Sequence, residues 1–428
     1  MIDRTVSPEI KPFGNIAFPE PDIIQLDNNI PLYLLKGGDQ EISRLDVLFS
    51  AGRFDEEKAL AAQLCNMMLK EGAGGLSSQE IAEKLDFYGA WLQPSVTMHN
   101  SYVSLYSLNK HFEPSLSIIA KMILSPEFPE KEFAIQTDRQ LQQYKVEKEK
   151  VTTLAANVFA EQFFGAEHPY GKTTRECDFT EINISDLRRY YNLFYRPERC
   201  KIILSGQITD DMIRLVNQVL GQNKGGSSQI NTPQYTIKRD ENHVVFSEKA
   251  DSVQSAIRVG ISLVPRNHPD YPGLRILNTF LGGYFGSRLM SNIREDKGYT
   301  YGIGSSVVTL PESTYLSIAT QTGTEYVKPL IDEIFVETER LQNELIGDEE
   351  MNIVRSYLSG ELARLVDTPL SVADAYVSLI ANGLPFDYYQ NQQATIRNIT
   401  PEQLQALAKK YLNRNDFYIA IAGKQNPL

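Results

Sequence analysis

The chain reads as an α+β protein built from two related halves. Three observations carry that expectation. One is length: 428 residues is too long for one ordinary domain, which takes roughly 100–200 residues. Another is periodicity. Segments that alternate like half-buried strands are followed by segments with the spacing of amphipathic helices. The third is order. Strand, helix, paired glycines, helix, strand, strand and helix occur once on each side of a polar stretch at 221–240.

In the first half, DIIQLDNNIPLYLL reads as two short strands around an Asp-Asn-Asn turn. ISRLDVLFSAG alternates as a half-buried strand. In LAAQLCNMMLKEGAGG, Leu60, Leu64, Met67 and Met68 share the apolar face of a helix that stops at Gly72 and Gly74–Gly75. SSQEIAEKLDFYG opens with a capping-box pattern, Ser77 to Glu80, and reads as a second helix. WLQPSVTMHNSYVSLYSL gives two strands and HFEPSLSIIAKMIL a helix. A longer helical stretch covers 129–150, SDLRRYYNLFY is a helix, and RCKIILSGQI closes the half as a strand.

Residues 221–240 are rich in Gly, Ser, Asn and Gln without an apolar period, as a linker is. HVVFSEKA and QSAIRVGISLV are then strands, DYPGLRILNTFLGG a helix ending in Gly282–Gly283, and FGSRLMSNIREDKG a second helix. YTYGIGSSVVTL and STYLSIATQT are strands, VKPLIDEIFVETERLQNEL is a long helix, more helices follow, and NDFYIAIAGK closes with a strand. The expected division is a domain at 1–220, a linker at 221–240 and a domain at 241–428. Identity between the halves is low, so the repeat is one of pattern.

Composition narrows the function classes. A net charge of −12 implies no large basic surface, which argues against a nucleic-acid partner. Cys65, Cys177 and Cys200 are far apart and odd in number, unlike a disulfide framework or a clustered zinc site, so a reducing compartment, the cytoplasm, is expected. The first 22 residues lack an apolar h-region, and no run of about 18 apolar residues occurs. Neither a signal peptide nor a membrane span is expected.

Four stretches resemble the pitrilysin or insulinase-type zinc peptidases, which include the mitochondrial processing peptidase. They are LFSAGRFDE, EHPYGKTT, FYRPERCKIILSG and, most specifically, LNTFLGGYFGSRLMSNIREDKGYTYG. The resemblance covers nearly the whole chain. It implies two homologous α+β domains facing each other as a clamshell around an unfolded peptide.

Active members of that family carry H-x-x-E-H on the opening helix. Two histidines one turn apart bind zinc, and the glutamate activates water. A glutamate some seventy-odd residues further on completes the site. Laid on this chain, the histidines fall at Ala62 and Asn66, the catalytic glutamate at Cys65, and the third ligand at Gln142 or Gln143. Each position lacks the needed chemistry, and Cys65 alone makes no site. His99, His111, His168, His243 and His268 form no pair at ligand spacing, and His168 reads as a structural loop residue. No cofactor is expected in this chain.

The second half matches the family's other device, an arginine and a tyrosine seven residues apart that reach the substrate near the zinc. The matching residues are Arg294 and Tyr301 in NIREDKGYTYGIG. A carbonyl attacked by hydroxide becomes an oxyanion, which a tyrosine hydroxyl can stabilise. An arginine fork can hold peptide carbonyls. Gly298 permits a sharp turn between the two. On spacing alone, Arg294 would be a surface helix residue and Tyr301 a strand aromatic. Strand alternation would put Tyr299 and Tyr301 on one face, and only the motif spacing favours Tyr301.

GGYFGSRL is too short and too poor in glycine to match the glycine-rich loop of the processing peptidase's non-catalytic subunit. The resemblance therefore implies a bacterial-type, two-chain peptidase. This chain would supply Arg294 and Tyr301, and a homologous partner would bear H-x-x-E-H and the zinc. An extended peptide would be the substrate, held in part by strand addition to a sheet edge, and the isolated chain could form a homodimer. Two other readings stand beside this one. One is a pseudo-enzyme that binds peptides without cutting them. The other is a structural subunit like the peptidase-derived core proteins of respiratory complexes, which has little reason to keep Arg294 and Tyr301.

Overall fold

The structure is a computed structural model that describes residues 5, 14–222, 225 and 234–425. Ten residues of the expected linker, 223–224 and 226–233, lie outside the described residues. The first half runs β1 (Asp22–Gln25), β2 (Pro31–Lys36), β3 (Ile42–Phe49), α1 (Ala61–Met68), the two-residue strands β4 (Gly72–Ala73) and β5 (Leu76–Ser77), α2 (Ser78–Tyr88), β6 (Trp91–Val96), β7 (Ser101–Leu108), α3 (Phe112–Leu124), α4 (Glu130–Lys148), α5 (Val151–Phe164), α6 (Asp178–Glu181), α7 (Ile184–Phe194), β8 (Cys200–Gly206) and α8 (Asp210–Leu220). The second runs β9 (Val244–Glu248), β10 (Ser255–Leu263), α9 (Tyr271–Asn278), β11 (Ile303–Leu310), β12 (Ser313–Thr322), α10 (Val327–Asn343), α11 (Asp348–Arg364), α12 (Pro369–Ala381), α13 (Tyr388–Asn398), α14 (Pro401–Tyr411) and β13 (Tyr418–Gly423).

Two sheets organise these elements. The first has strand order β1-β2-β8-β3-β7-β6 and the second β11-β12-β10-β13-β9. Read from β6 and from β11, the two orders coincide strand for strand, with β1 an addition at the far edge. Each sheet is antiparallel except at one place, where its closing strand lies parallel to its first long strand: β8 to β2, and β13 to β9. The α+β reading with two related halves therefore holds at the level of topology.

Local chemistry explains several boundaries. Asn29 turns the β1–β2 hairpin with φ +65°, a conformation asparagine tolerates better than most residues. The capping box is present at α2, where Glu80 N–H donates to Ser77 Oγ at 3.3 Å and Ser77 N–H donates to Glu80 Oε2 at 2.9 Å.

The halves exchange helices. α5, from the first half, packs on β13, β10 and β9 of the second sheet. Phe163 meets Tyr315 at 5.2 Å and Tyr418 at 5.4 Å between ring centroids. Phe159 comes so close to β10 that a Cβ on Gly260 would lie 2.4 Å from its Cζ, so only glycine fits there. α12, from the second half, packs in turn on β8, β2 and β3. Leu35, Leu48 and Ile203 of the first sheet join the second half's core. Each buried Phe or Leu at these contacts contributes roughly 1.5–3 kcal/mol.

One ion pair crosses the same junction. Arg44 on β3 lies 2.8 Å from Asp46 and reaches Asp374 on α12 at 2.5 Å. Ser104 Oγ donates to Asp46 at 2.5 Å, and the guanidinium lies over the Tyr106 ring at 5.1 Å.

Each sheet thus carries on one face a helix contributed by the other half. The division at 1–220 and 241–428 follows the two sheets but cuts across the helix packing.

Candidate functional site

α1 presents Ala62, Cys65 and Asn66 to the first core, all three fully buried. Ala62 offers no donor atom. Burial pushes the Cys65 thiol well up, the setting of an inert structural cysteine. The Asn66 amide donates to Tyr195 Oη at 2.9 Å and to the Tyr102 carbonyl at 3.3 Å. Gln142 is exposed, and its amide reaches Asp138 on its own helix at 3.4 Å; its neighbour Gln143 is also exposed.

The hydrogen bond between α4 and this part of α1 comes instead from Gln140, whose Oε1 accepts from Gln63 at 2.8 Å. These groups do not fit zinc. Among the described residues, no three or more His, Cys, Asp or Glu side chains are grouped to hold a metal ion. His168 is buried, accepts the Tyr170 N–H at 3.1 Å and packs among Phe54, Phe164 and Tyr235.

Glu56 is the acid next to α1, and sequence reasoning overlooked it. Its Oε2 accepts the Ala62 N–H at 3.0 Å. It lines a cavity of about 530 Å³ with Arg53, Gln63 and Lys172. Burial pushes its carboxyl up to about 7, against the pull of the Ala62 bond and Arg53. The folded chain thus holds this proton more tightly than the unfolded one. The stability it contributes is complete below pH 4 or so and is lost as pH rises through about 7. Glu56→Gln keeps an acceptor and has no charge to bury. The variant is expected to gain stability over the wild type from about pH 5.5 to about pH 8, by on the order of 1 kcal/mol after allowing for partial exposure. Urea denaturation at both pH values checks this, and equal effects would count against it.

The second-half residues are built differently. The helix before β11 widens to i→i+5 turns over Met290–Asp296, a distortion frequent at functional sites. Lys297 N–H bonds the Asn292 carbonyl at 3.1 Å, and Tyr299 N–H returns to the Ile293 carbonyl at 3.0 Å. The turn between them is made by Gly298 at φ +66°, as its position in the motif suggested.

Thr300 then fastens the segment to β12. Its Oγ1 donates to the Gln321 carbonyl at 2.6 Å and accepts from Thr320 at 2.9 Å. The strand expected from Tyr299 starts only at Ile303, so alternation does not apply to the two tyrosines. Tyr299 stacks on Tyr326 with centroids 5.2 Å apart. Tyr301 is 92% exposed, although its neighbours Thr300 and Gly302 are held by hydrogen bonds.

Arg294 lies between two exposed rings. Its guanidinium carbon sits 5.3 Å from the centre of Tyr301 and 4.8 Å from that of Phe285. Among the described residues it has no carboxylate partner, whereas the adjacent cation Lys297 pairs with Glu333. Aromatic faces hold the fork in place without neutralising it. The arrangement leaves a cation and a tyrosine ring side by side at this surface. Phe285 escaped notice in the sequence because it stands nine residues before Arg294, a spacing with no meaning on a regular helix. Arg294 touches Phe285 and Tyr301, whereas Asn66 bonds Tyr195 and Tyr102 and Gln142 bonds Asp138.

The family model described as insulinase, peptidase family M16, matches residues 34–172. That described as the peptidase M16 inactive domain matches residues 181–358. A Bacillus subtilis protein named uncharacterized zinc protease YmxG is 25% identical over 301 residues, covering 69% of this chain and 71% of its own. A Helicobacter pylori protein named non-peptidase homolog YmxG is 21% identical over 383 residues, covering 87% and 86%. Among solved structures, a peptidase M16 inactive domain from Pseudomonas fluorescens superposes with TM-score 0.86 at 23% identity, over 95% of this chain and 98% of that one. The periplasmic protease PqqL from Escherichia coli superposes with TM-score 0.80 at 18% identity, over 99% of this chain but 49% of its own.

Proposed function

We propose, from the premise that this chain belongs to the insulinase family of peptidases, family M16, that it is the non-zinc subunit of a two-chain peptidase. Its fold is of the family's inactive, non-peptidase type. The observation that carries the reading is the contrast between the two sites. The positions matching a zinc site are filled by groups that do not make up a ligand set. Tyr301 meanwhile stands exposed, with the half-buried Arg294 over its ring. A chain kept only as scaffold has no use for a half-buried cation without a carboxylate partner among the described residues beside a 92% exposed tyrosine.

In this reading a homologous chain bearing H-x-x-E-H supplies the metal. Arg294 holds carbonyls of an extended peptide, and Tyr301 donates to the oxygen that becomes negative during attack. Cys65, Cys177 and Cys200 are all unpaired, which suits a cytoplasmic location. No helix among the described residues is long and apolar enough to cross a membrane.

The test is co-expression with an H-x-x-E-H-bearing relative from the same source, then assay of each chain alone and of both together on an unfolded peptide. This chain alone should hold far less than one zinc per molecule by elemental analysis and cut nothing. The pair should co-elute and cut in a chelator-sensitive way. Chelator-sensitive cleavage by the pure single chain would overturn the reading. A pair that assembles but stays inactive would leave a peptide-binding pseudo-enzyme.

A further inference from the structure

A cavity of about 590 Å³ lies in the second half, between α9, β11, α11 and α13. That volume is typical of small-ligand sites. Two arginines converge in it on one hydroxyl. Arg266 Nε donates to Tyr388 Oη at 3.1 Å, and Arg275 Nη1 approaches the same oxygen at 3.5 Å. Arg266 also lies over the Tyr388 ring, 4.7 Å from its centre. The one carboxylate among the lining residues, Glu361, is engaged by Arg364 at 3.0 Å. Two like charges thus share a neutral partner, an arrangement an anion would relieve.

A second observation points the same way. Gln392, which also lines the cavity, is only 9% exposed, and its Nε2 has no hydrogen-bond partner. A buried amide donor left unmet is costly and rare in folded proteins. Around these donors the wall is mixed, with Tyr389, Leu358 and Ile396 forming an apolar part beside Ser305, Ser306 and Thr309. We propose that this cavity binds an amphipathic carboxylate, a molecule with an apolar body and one carboxylate head held by Arg266 and Arg275.

The planar fork of a guanidinium matches the two oxygens of a carboxylate. The Gln392 amide supplies a further donor, and the apolar part of the wall takes the body. A small organic acid and the C-terminus of a peptide share this chemistry. The inference stands apart from the two-chain reading, because the cavity is complete within this chain.

The experiment is calorimetric titration of the full chain with 3-phenylpropionate and with a six-residue peptide ending in phenylalanine, each beside its amide. At least one acid should bind, and its amide at least about 10-fold more weakly, the scale of one charge-assisted hydrogen bond. Binding of the small acid identifies a small-molecule site, and binding of the peptide acid alone identifies a chain terminus. Arg275→Gln changes an exposed residue and should leave folding intact while weakening binding about 10-fold. Adding Arg266→Gln should bring the loss to about 100-fold. Acid and amide binding alike, no binding by either acid, or an Arg275→Gln affinity within twofold of the wild type would overturn the proposal. So would inorganic phosphate binding as tightly as the acids.

Discussion

Tyr301→Phe in the assembled pair is expected to lower kcat by about 10²–10³-fold, the effect of removing one oxyanion donor, roughly 2.7–4 kcal/mol. The change deletes one hydroxyl from a side chain that packs against little besides Arg294. Co-elution with the partner should be unaffected, because assembly surfaces are large and spread over many residues. KM should move little, since in the proposed role the hydroxyl acts on charge that develops only during attack. Arg294→Ala should impair both kcat and KM, because in the proposed role the fork also holds carbonyls before reaction. Tyr299→Phe is the control. That ring is stacked on Tyr326 and should affect turnover far less. A Tyr301→Phe pair that stays intact with kcat within twofold of the wild type would remove the catalytic role and leave binding or scaffolding.

Arg44→Met should cost about 3–5 kcal/mol of stability, the scale of stranding one buried charge. The Asp46 carboxyl is fully buried. Burial already pushes its pKa up, against the opposing pull of Arg44 and Ser104. Without Arg44 it should rise further. A carboxyl held above its unfolded value destabilises only once pH exceeds that value, so the deficit should be large at neutral pH and shrink toward about pH 4. Removing both charges in Arg44→Met with Asp46→Leu should recover a good part of the loss. The lost tie to Asp374 matters less, because that carboxylate is mostly exposed. Urea denaturation of both variants at two pH values decides the matter, and a deficit under about 1 kcal/mol at pH 7 would contradict it.

The fold was largely legible because its signals are local. Strand alternation, the Ser77–Glu80 cap and the paired glycines each lie within a few residues, and the repeated order tied the halves together. α5 went unread for a physical reason. Its start is β-branched, and sheet and helices press on several sides of it, so no clean polar face marks it as a helix. The Arg44–Asp374 contact spans 330 positions, beyond any spacing rule. At the candidate site, the degenerate positions on α1 could be read from residue type alone. The environments of Tyr299 and Tyr301 could not, because the strand that alternation presumed begins only after both of them. Nor could the bond from Gln140 to Gln63, since helix register decides which glutamine faces α1.

The exchange of α5 and α12 has a consequence for biosynthesis. While the ribosome is still making the second half, the first sheet has no α12 to cover Leu35, Leu48 and Ile203. α5 meanwhile has emerged with its aromatic face and no sheet to receive it. The cover arrives only when translation has passed residue 381. The nascent first half must therefore wait with two greasy surfaces open, the condition in which a growing chain calls on chaperones. Cutting the gene at the linker would give two fragments, each holding a helix the other needs. They should be insoluble when made separately and rescue each other when made together.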